Sequence, residues 1–154
     1  MRGDRRTAMR SIGFTIGLTM VLLGVGACSQ SGTGSRMGAV MGAGTPLTGA
    51  QEVPAVNTQA TGVSSIVVSG DKNISGDVRT TNLNGTAAHI HQGAMGQNGP
   101  VIIPLAKTAD GVWSVPANTT LTSAQFDAYR AGNLYVNVHS AANPGGELRA
   151  QIKP

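Results

Sequence analysis

Short stretches rich in Val, Ile and Thr recur along the chain from about residue 47 onward, and Gly, Asn and Pro separate them. Spacings of about ten residues between such stretches, with apolar and polar positions alternating inside them, are typical of β-sandwiches and barrels. The pattern therefore predicts a mainly β domain, a single β-sandwich or barrel-like fold with one short helix. The predicted strands are residues 47–53, 62–69, 74–80, 86–91, 101–105, 111–115, 134–139 and 147–152.

Local signals predict where strands turn and where the helix begins. Residues 70–73 and 143–146 are predicted hairpin turns, because their residue types tolerate a positive φ or preset a turn. Thr122 and Gln125 form a capping-box pattern, in which each side chain bonds the other residue's amide. Gly132 suits the left-handed position just after the helix. The packing face of this helix is predicted to consist of Phe126, Tyr129 and Arg130.

The first 27 residues have the order of a secretory signal peptide. Four arginines come first, an uncharged apolar run over residues 11–27 follows, and small residues end it. The alternative is a single-pass membrane anchor. Seventeen residues with four glycines are short for a hydrocarbon layer about 30 Å thick, and no charge cluster follows the run. We therefore expect residues 1–27 to be removed.

The formal net charge of +4 at pH 7 would favour a nucleic-acid partner if the basic residues lay in the folded part. Without residues 1–27, seven Lys and Arg face six Asp and Glu, a net charge of +1. We therefore expect no nucleic-acid partner.

The single cysteine, Cys28, directly follows Val25-Gly26-Ala27, and this context resembles a bacterial lipobox. The resemblance implies a lipid on Cys28 and attachment to a membrane on the extracytoplasmic side. Ser29 then implies the outer membrane. A free thiol and an intermolecular disulfide are the alternatives. Acylated sulfur cannot serve as a thiolate nucleophile.

Residues 28–45 are rich in Gly, Ser and Thr and lack periodic apolar positions, so they are predicted to be a flexible tether. Such a chain reaches on the order of 20–25 Å. The folded domain is predicted to occupy residues 46–154.

Three histidines, His89, His91 and His139, carry the most specific chemical signal. They lie in two strand-like contexts, AAHIHQG and LYVNVHS. Alternate residues of a strand face opposite sides, so His89 and His91 share one face, and His139 shares a polar face with Tyr135 and Asn137. If the two strands are neighbours, the three imidazoles can converge on a copper or zinc ion. Protons would compete for the same nitrogens as the pH falls through about 6.5.

A simpler interpretation needs no metal. The imidazoles can bond backbone groups and hold the loops at residues 92–100 and 140–146. Met95, in the first of these loops, is a further candidate ligand whose soft sulfur would favour copper over zinc. Its alternative is an ordinary loop methionine.

Several motifs occur in one order along the chain: LTGAQEVP from Leu47, AHIH from Ala88, NGP from Asn98, LYVNVH from Leu134 and NPGGELR from Asn143. In this set and order the sequence resembles the CHRD domain, a module named from chordin. The resemblance covers essentially all of residues 46–154. It implies an extracytoplasmic, mostly β domain without a defined biochemistry.

No catalytic motif is found, so we expect the protein not to be an enzyme. Copper-zinc superoxide dismutases also use a histidine-x-histidine pair on a strand, but this chain lacks the further metal ligands, and Arg149 is its only candidate anion guide. Asp127 and Glu147 both lie near arginines in sequence, which favours salt-bridged or solvated roles.

Two hypotheses from different classes follow. The first is a lipid-anchored, non-enzymatic binding or interaction module with an unidentified protein or small ligand. The second is a small copper- or zinc-binding lipoprotein that uses His89, His91 and His139.

Overall fold

The computed structural model describes residues 44–154, which form eleven β-strands, one α-helix and one 3-10 turn. The predicted signal peptide, Cys28 and residues 28–43 of the predicted tether lie outside the described residues. Among residues 44–154, no helix has the length and apolar character that crossing a bilayer requires. The strands are β1 Thr45–Leu47, β2 Thr61–Ser64, β3 Val67–Val68, β4 Ile74–Ser75, β5 Asp77–Thr81, β6 Gly85–Gln92, β7 Val101–Pro104, β8 Ala106–Ala109, β9 Val112–Ser114, β10 Leu134–Ser140 and β11 Leu148–Ile152.

The strands form a sandwich-like arrangement of antiparallel sheets, which confirms the mainly β prediction. One sheet has the order β1-β2-β5-β9-β8, a second has the order β11-β10-β6-β7, and β3 and β4 form a small hairpin. Side chains from both larger sheets meet in one apolar core, for example Val78 and Trp113 from the first and Val136 and Ile90 from the second. The strands that line this core therefore turn one face to it and leave the other for polar groups.

The helix α1, Ser123–Arg130, begins at the predicted capping box. Gln125 donates its amide to the Thr122 hydroxyl at 3.2 Å, and the Gln125 side chain accepts from the Thr122 amide at 2.9 Å. Gly132 has φ +73°, as predicted. Tyr129 is buried in the core and Phe126 packs against it. The predicted packing role of Arg130 is wrong, because its side chain is exposed at the end of the helix.

Three predicted strands differ from the observed elements. The stretch 47–53 was predicted as a strand, but β1 ends at Leu47 and Gly49–Gln51 forms a 3-10 turn, since the Val56 amide bonds the Gly49 carbonyl and draws the chain back. The predicted strands 62–69 and 74–80 are each divided in two. The second divides at Gly76, whose φ of +115° and close approach to Ser65 O leave no room for a side chain.

Strand β8 was missed by the pattern of apolar positions. All four residues of Ala106–Ala109 are exposed, because β8 is the edge of its sheet and pairs with β9 alone. No apolar alternation marks it. Both predicted hairpin turns are present: residues 70–73 connect β3 to β4, and residues 143–146 lie between β10 and β11.

Candidate metal centre

The strands that carry the histidines are direct neighbours. β6 pairs antiparallel with β10, with Asn137 opposite His89, Tyr135 opposite His91 and Ala87 opposite His139. The alternate residues, among them Ile90, Val136 and Val138, are fully buried in the core. The alternation of the two strands therefore places all three imidazoles on the same outer face of the four-stranded sheet.

This face brings the three histidines together. One ring nitrogen from each of His89, His91 and His139 lies within 4.8 Å of the other two. The shortest separation is 3.0 Å, between His89 Nδ1 and His139 Nε2. Nitrogens bound to one zinc ion at about 2.0–2.1 Å lie about 3.3 Å apart in a tetrahedral arrangement. The observed separations, from 3.0 Å to at most 4.8 Å, are therefore close to those of metal ligands.

Two of the imidazoles are fixed by backbone carbonyls. His91 Nδ1 lies 2.9 Å from Gly99 O, and His139 Nδ1 lies 2.9 Å from Pro144 O. Because a carbonyl only accepts, the hydrogen-bond network assigns a hydrogen to each Nδ1 and a lone pair to each Nε2. A carbonyl on the outer nitrogen is the arrangement that orients metal-ligating histidines.

The remaining nitrogens have different partners. His139 Nε2 accepts from His89 Nδ1, so His89 carries its hydrogen on the nitrogen that faces the cluster. His91 Nε2 is buried and has no hydrogen-bond partner among the described residues. His89 must therefore exchange tautomer or rotate before it binds a metal, whereas His91 and His139 already present lone pairs.

The predicted hydrogen bonds from the histidines to the two loops are present for His91 and His139. Gly99 and Pro144 belong to the two loops that the histidines were predicted to hold. Each bond uses Nδ1 and leaves Nε2 available. Anchoring the loops and binding a metal are therefore compatible roles of the same side chains.

A stack of three planar groups includes His91. The Tyr135 ring lies 4.7 Å from the His91 ring at an interplanar angle of 6°. The Arg149 guanidinium lies 3.4 Å from the centre of the Tyr135 ring. The Tyr135 hydroxyl also accepts from the Gly99 amide at 3.1 Å. Tyr135 thus contacts both His91 and the loop residue to which His91 donates.

Arg149 is 1 % exposed, and its guanidinium donates to loop oxygens. The acceptors are Gln97 O at 2.8 Å, Ala94 O at 3.3 Å and Asn98 Oδ1 at 3.3 Å. The idea that Arg149 could guide an anion from solvent is wrong, because the group is enclosed and engaged in holding the loop.

The surroundings favour neutral imidazoles. Burial lowers the pKa of His89, and the neighbouring His139 and His91 lower it further. Burial also lowers the pKa of His139, although its bond to Pro144 O acts in the opposite direction. Neutral imidazole is the form that binds metals, so the lowered pKa values favour the ligand form of both groups at neutral pH.

The nearby carboxyl groups have other partners. Glu147 accepts from the Thr58 hydroxyl at 2.6 Å and from the Ser140 hydroxyl, and these bonds lower its pKa. Its expected salt-bridged or solvated role is wrong: it is 8 % exposed, and the ion pairs of residues 44–154 are Arg79–Asp77 and Lys107–Asp110. Asp127, by contrast, is exposed as expected.

Glu52 is the second buried carboxyl near this face. Burial raises its pKa to about 7, while Arg149 and the Asn137 side chain act in the opposite direction. Its Oε1 is buried and has no hydrogen-bond partner among the described residues. Burial therefore holds Glu52 closer to its neutral form than an exposed glutamate.

Met95, the further candidate ligand, is 73 % exposed. It borders a cavity of about 250 Å³ whose lining includes Glu52, Arg149 and Gln151 but none of the three histidines. Among the His, Cys, Asp and Glu side chains of the described residues, the group that comes together is three imidazoles.

Several residues that shape the site were not predicted from the sequence. Alternation in LYVNVH places Tyr135 on the histidine face, so its presence there was predictable, but its stacking on His91 was not. Arg149, Gly99 and Pro144 carry no sequence signal for their roles, because backbone carbonyls and long-range stacking depend on how loops fold back.

A family model described as CHRD domain matches residues 43–152. No curated protein and no solved structure matches the chain significantly.

Proposed function

Since the chain belongs to the CHRD domain family, we propose that it is an extracytoplasmic, lipid-anchored binding module whose ligand is a copper or zinc ion held by His89, His91 and His139. The protein acts by holding the ion rather than by catalysing a reaction. The observation that carries the proposal is the pair of Nε2 lone pairs that Gly99 and Pro144 preset in one cluster.

Leaving a polar atom buried without a partner costs about 1–3 kcal/mol. His91 Nε2 is such an atom. A metal ion bound there would supply the missing partner and, through His139 Nε2, would link the two preset imidazoles. The third ligand would come from His89 after its hydrogen leaves the nitrogen that faces His139.

Imidazole is a common ligand of both zinc and copper. Divalent copper generally binds nitrogen ligands more tightly than zinc does, so the site is expected to prefer Cu(II). The domain would be carried by the lipid on Cys28 and by residues 28–45, which supports a position close to the outer membrane.

The second candidate function is a metal-free interaction module. It is favoured by the hydrogen bonds that tie His91 and His139 to two loops, since these bonds stabilise the surface without any ion. Under this hypothesis the histidines matter only as donors to Gly99 O and Pro144 O.

Substitution by asparagine separates the two functions. An Asn side chain keeps an N–H donor near the position of Nδ1 but lacks the Nε2 ligand. The full chain, purified in detergent, would be equilibrated with Cu(II) or Zn(II), and bound metal would be measured by mass spectrometry. We expect one equivalent in the wild type and a large loss in His91→Asn and His139→Asn. The melting temperature should fall modestly in His91→Asn, which loses its stack on Tyr135, and stay close to that of the wild type in His139→Asn.

Thr86→Ala is a matched control, because Thr86 is an exposed residue of the same strand β6. Binding by all four proteins alike, or by none, would favour the metal-free interaction module.

A further inference from the structure

We infer that a metal ion held by the three histidines keeps a coordination position that takes a small anion from solution. This inference rests on the proposed function and names a second ligand of the same site. It follows from the number of donors, from the charge around the cluster and from its exposure.

The donor count leaves the ion incompletely coordinated. Among the described residues, the group of metal-ligating side chains consists of His89, His91 and His139, without a carboxylate or a thiolate. Zinc and copper ions take at least four ligands in most protein sites, and sites with three protein ligands hold an exogenous group in the fourth position. Since no carboxylate or thiolate of residues 44–154 joins the cluster and Met95 borders a cavity without the histidines, the fourth position falls to an exogenous group.

The charge around the cluster selects an anion. Three neutral imidazoles leave the two positive charges of the ion uncompensated. The Glu147 carboxylate is held by Thr58 and Ser140, and so is not directed to the ion. The Arg149 guanidinium adds a positive charge behind Tyr135 and His91. Burial holds the nearby Glu52 carboxyl toward its neutral form, so it offsets this charge only in part. A negatively charged ligand is therefore favoured over a neutral one of the same size.

The solvent exposure of the three histidines indicates where the open coordination position lies and how large a ligand fits there. His91 is buried, whereas His89 and His139 remain partly accessible, so solvent reaches the cluster past these two rings. The loops that contain Gly99 and Pro144 lie against His91 and His139. An anion of a few atoms suits this position better than a bulky one.

Azide titration tests the inference on the full chain loaded with one equivalent of Cu(II) in detergent. Azide bound to Cu(II) produces a charge-transfer absorption band, and the paramagnetic resonance spectrum of the copper shifts. We expect a saturable band with a dissociation constant in the millimolar range or tighter. Acetonitrile, a neutral linear ligand of similar size, is expected to bind at least tenfold more weakly.

The outcomes distinguish this inference from the proposed function. Copper bound in one equivalent with no azide band overturns the anion position alone. Equal affinity for azide and acetonitrile overturns the preference for an anion. Failure of the wild type to bind copper overturns the proposed function and this inference together. Loss of copper and of the azide band in His139→Asn, with both retained in Thr86→Ala, supports both.

Discussion

Tyr135 lies parallel to His91, with ring centroids 4.7 Å apart and an angle of 6° between the planes. Both are buried, and the residues pair directly across β10 and β6. The stack fixes the plane in which the His91 Nε2 lone pair lies. Residues that orient a ligating histidine commonly change metal affinity by about 10–100-fold when replaced.

Tyr135→Leu is therefore expected to weaken Cu(II) binding by about tenfold or more, because the aromatic support of His91 is lost. Tyr135→Phe is the matched control. It keeps the stack and removes only the hydroxyl that accepts from the Gly99 amide. Calorimetric titration should show near wild-type copper affinity for the Phe variant, with a loss of about 1 kcal/mol in unfolding free energy. Equal affinity in the Leu and Phe variants would contradict a positioning role for the ring.

Copper binding is expected to weaken at a pH below the ordinary histidine pKa. The folded protein lowers the pKa of His89 and His139 from 6.5, so protons do not compete strongly until the pH is below that value. From the sequence alone, binding was expected to weaken through about pH 6.5, and the lowered pKa values move this expectation to a lower pH. Titrations from pH 8 to pH 5 check it, and a half-loss of binding at or above pH 6.5 would exclude it.

Glu52 should make the protein less stable as the pH rises. Its pKa is raised from 4.5 to about 7 in the folded state, so its contribution to stability is fully present below 4.5 and is lost as the pH rises through 7. Glu52→Gln removes this titration and keeps the size of the side chain. Its melting temperature, relative to that of the wild type, is expected to increase from pH 5 to pH 8. A relative decrease would mean that the Arg149 attraction exceeds the cost of burial.

Gly146 and Gly145 offer a matched pair in the turn before β11. Gly146 has φ +131°, and a Cβ there would lie 2.4 Å from Glu52 Oε1 and 2.7 Å from Asn137 Nδ2. Gly146→Ala is expected to destabilise the fold by about 1–3 kcal/mol through backbone strain and steric overlap. Gly145 has no atom within 4 Å of such a Cβ, so Gly145→Ala should change stability by less than about 0.5 kcal/mol. Denaturant unfolding compares them, and equal effects would contradict the crowding at Gly146.

Cys28→Ser tests the proposed lipid anchor. If the thiol carries the lipid, the variant should lose palmitate labelling and leave the membrane fraction or remain unprocessed. Ser29→Ala is a control that keeps the thiol and should still be labelled. Fractionation of the wild type as a soluble, unlabelled protein would contradict the anchor.

The sequence by itself determined what depends on local order along the chain. Alternation in AAHIHQG and LYVNVHS assigned His89, His91 and His139 to polar strand faces, because the side-chain period of a strand is two. The capping box of Thr122 and Gln125 determined the start of α1 in the same local way. The edge strand β8 was not predicted, because a fully exposed strand needs no alternation of apolar and polar residues.

Only the tertiary structure decided which strands pair and where the loops return. Because β6 pairs with β10, the three histidines on their polar faces form a cluster whose ring nitrogens lie within 4.8 Å of one another. The carbonyls of Gly99 and Pro144 accept from Nδ1 of His91 and His139 and so determine their tautomers. Arg149 of β11 packs on the Tyr135 ring. These contacts join residues far apart in sequence, and their geometry depends on the packing of the whole domain, which no local pattern of residue types encodes.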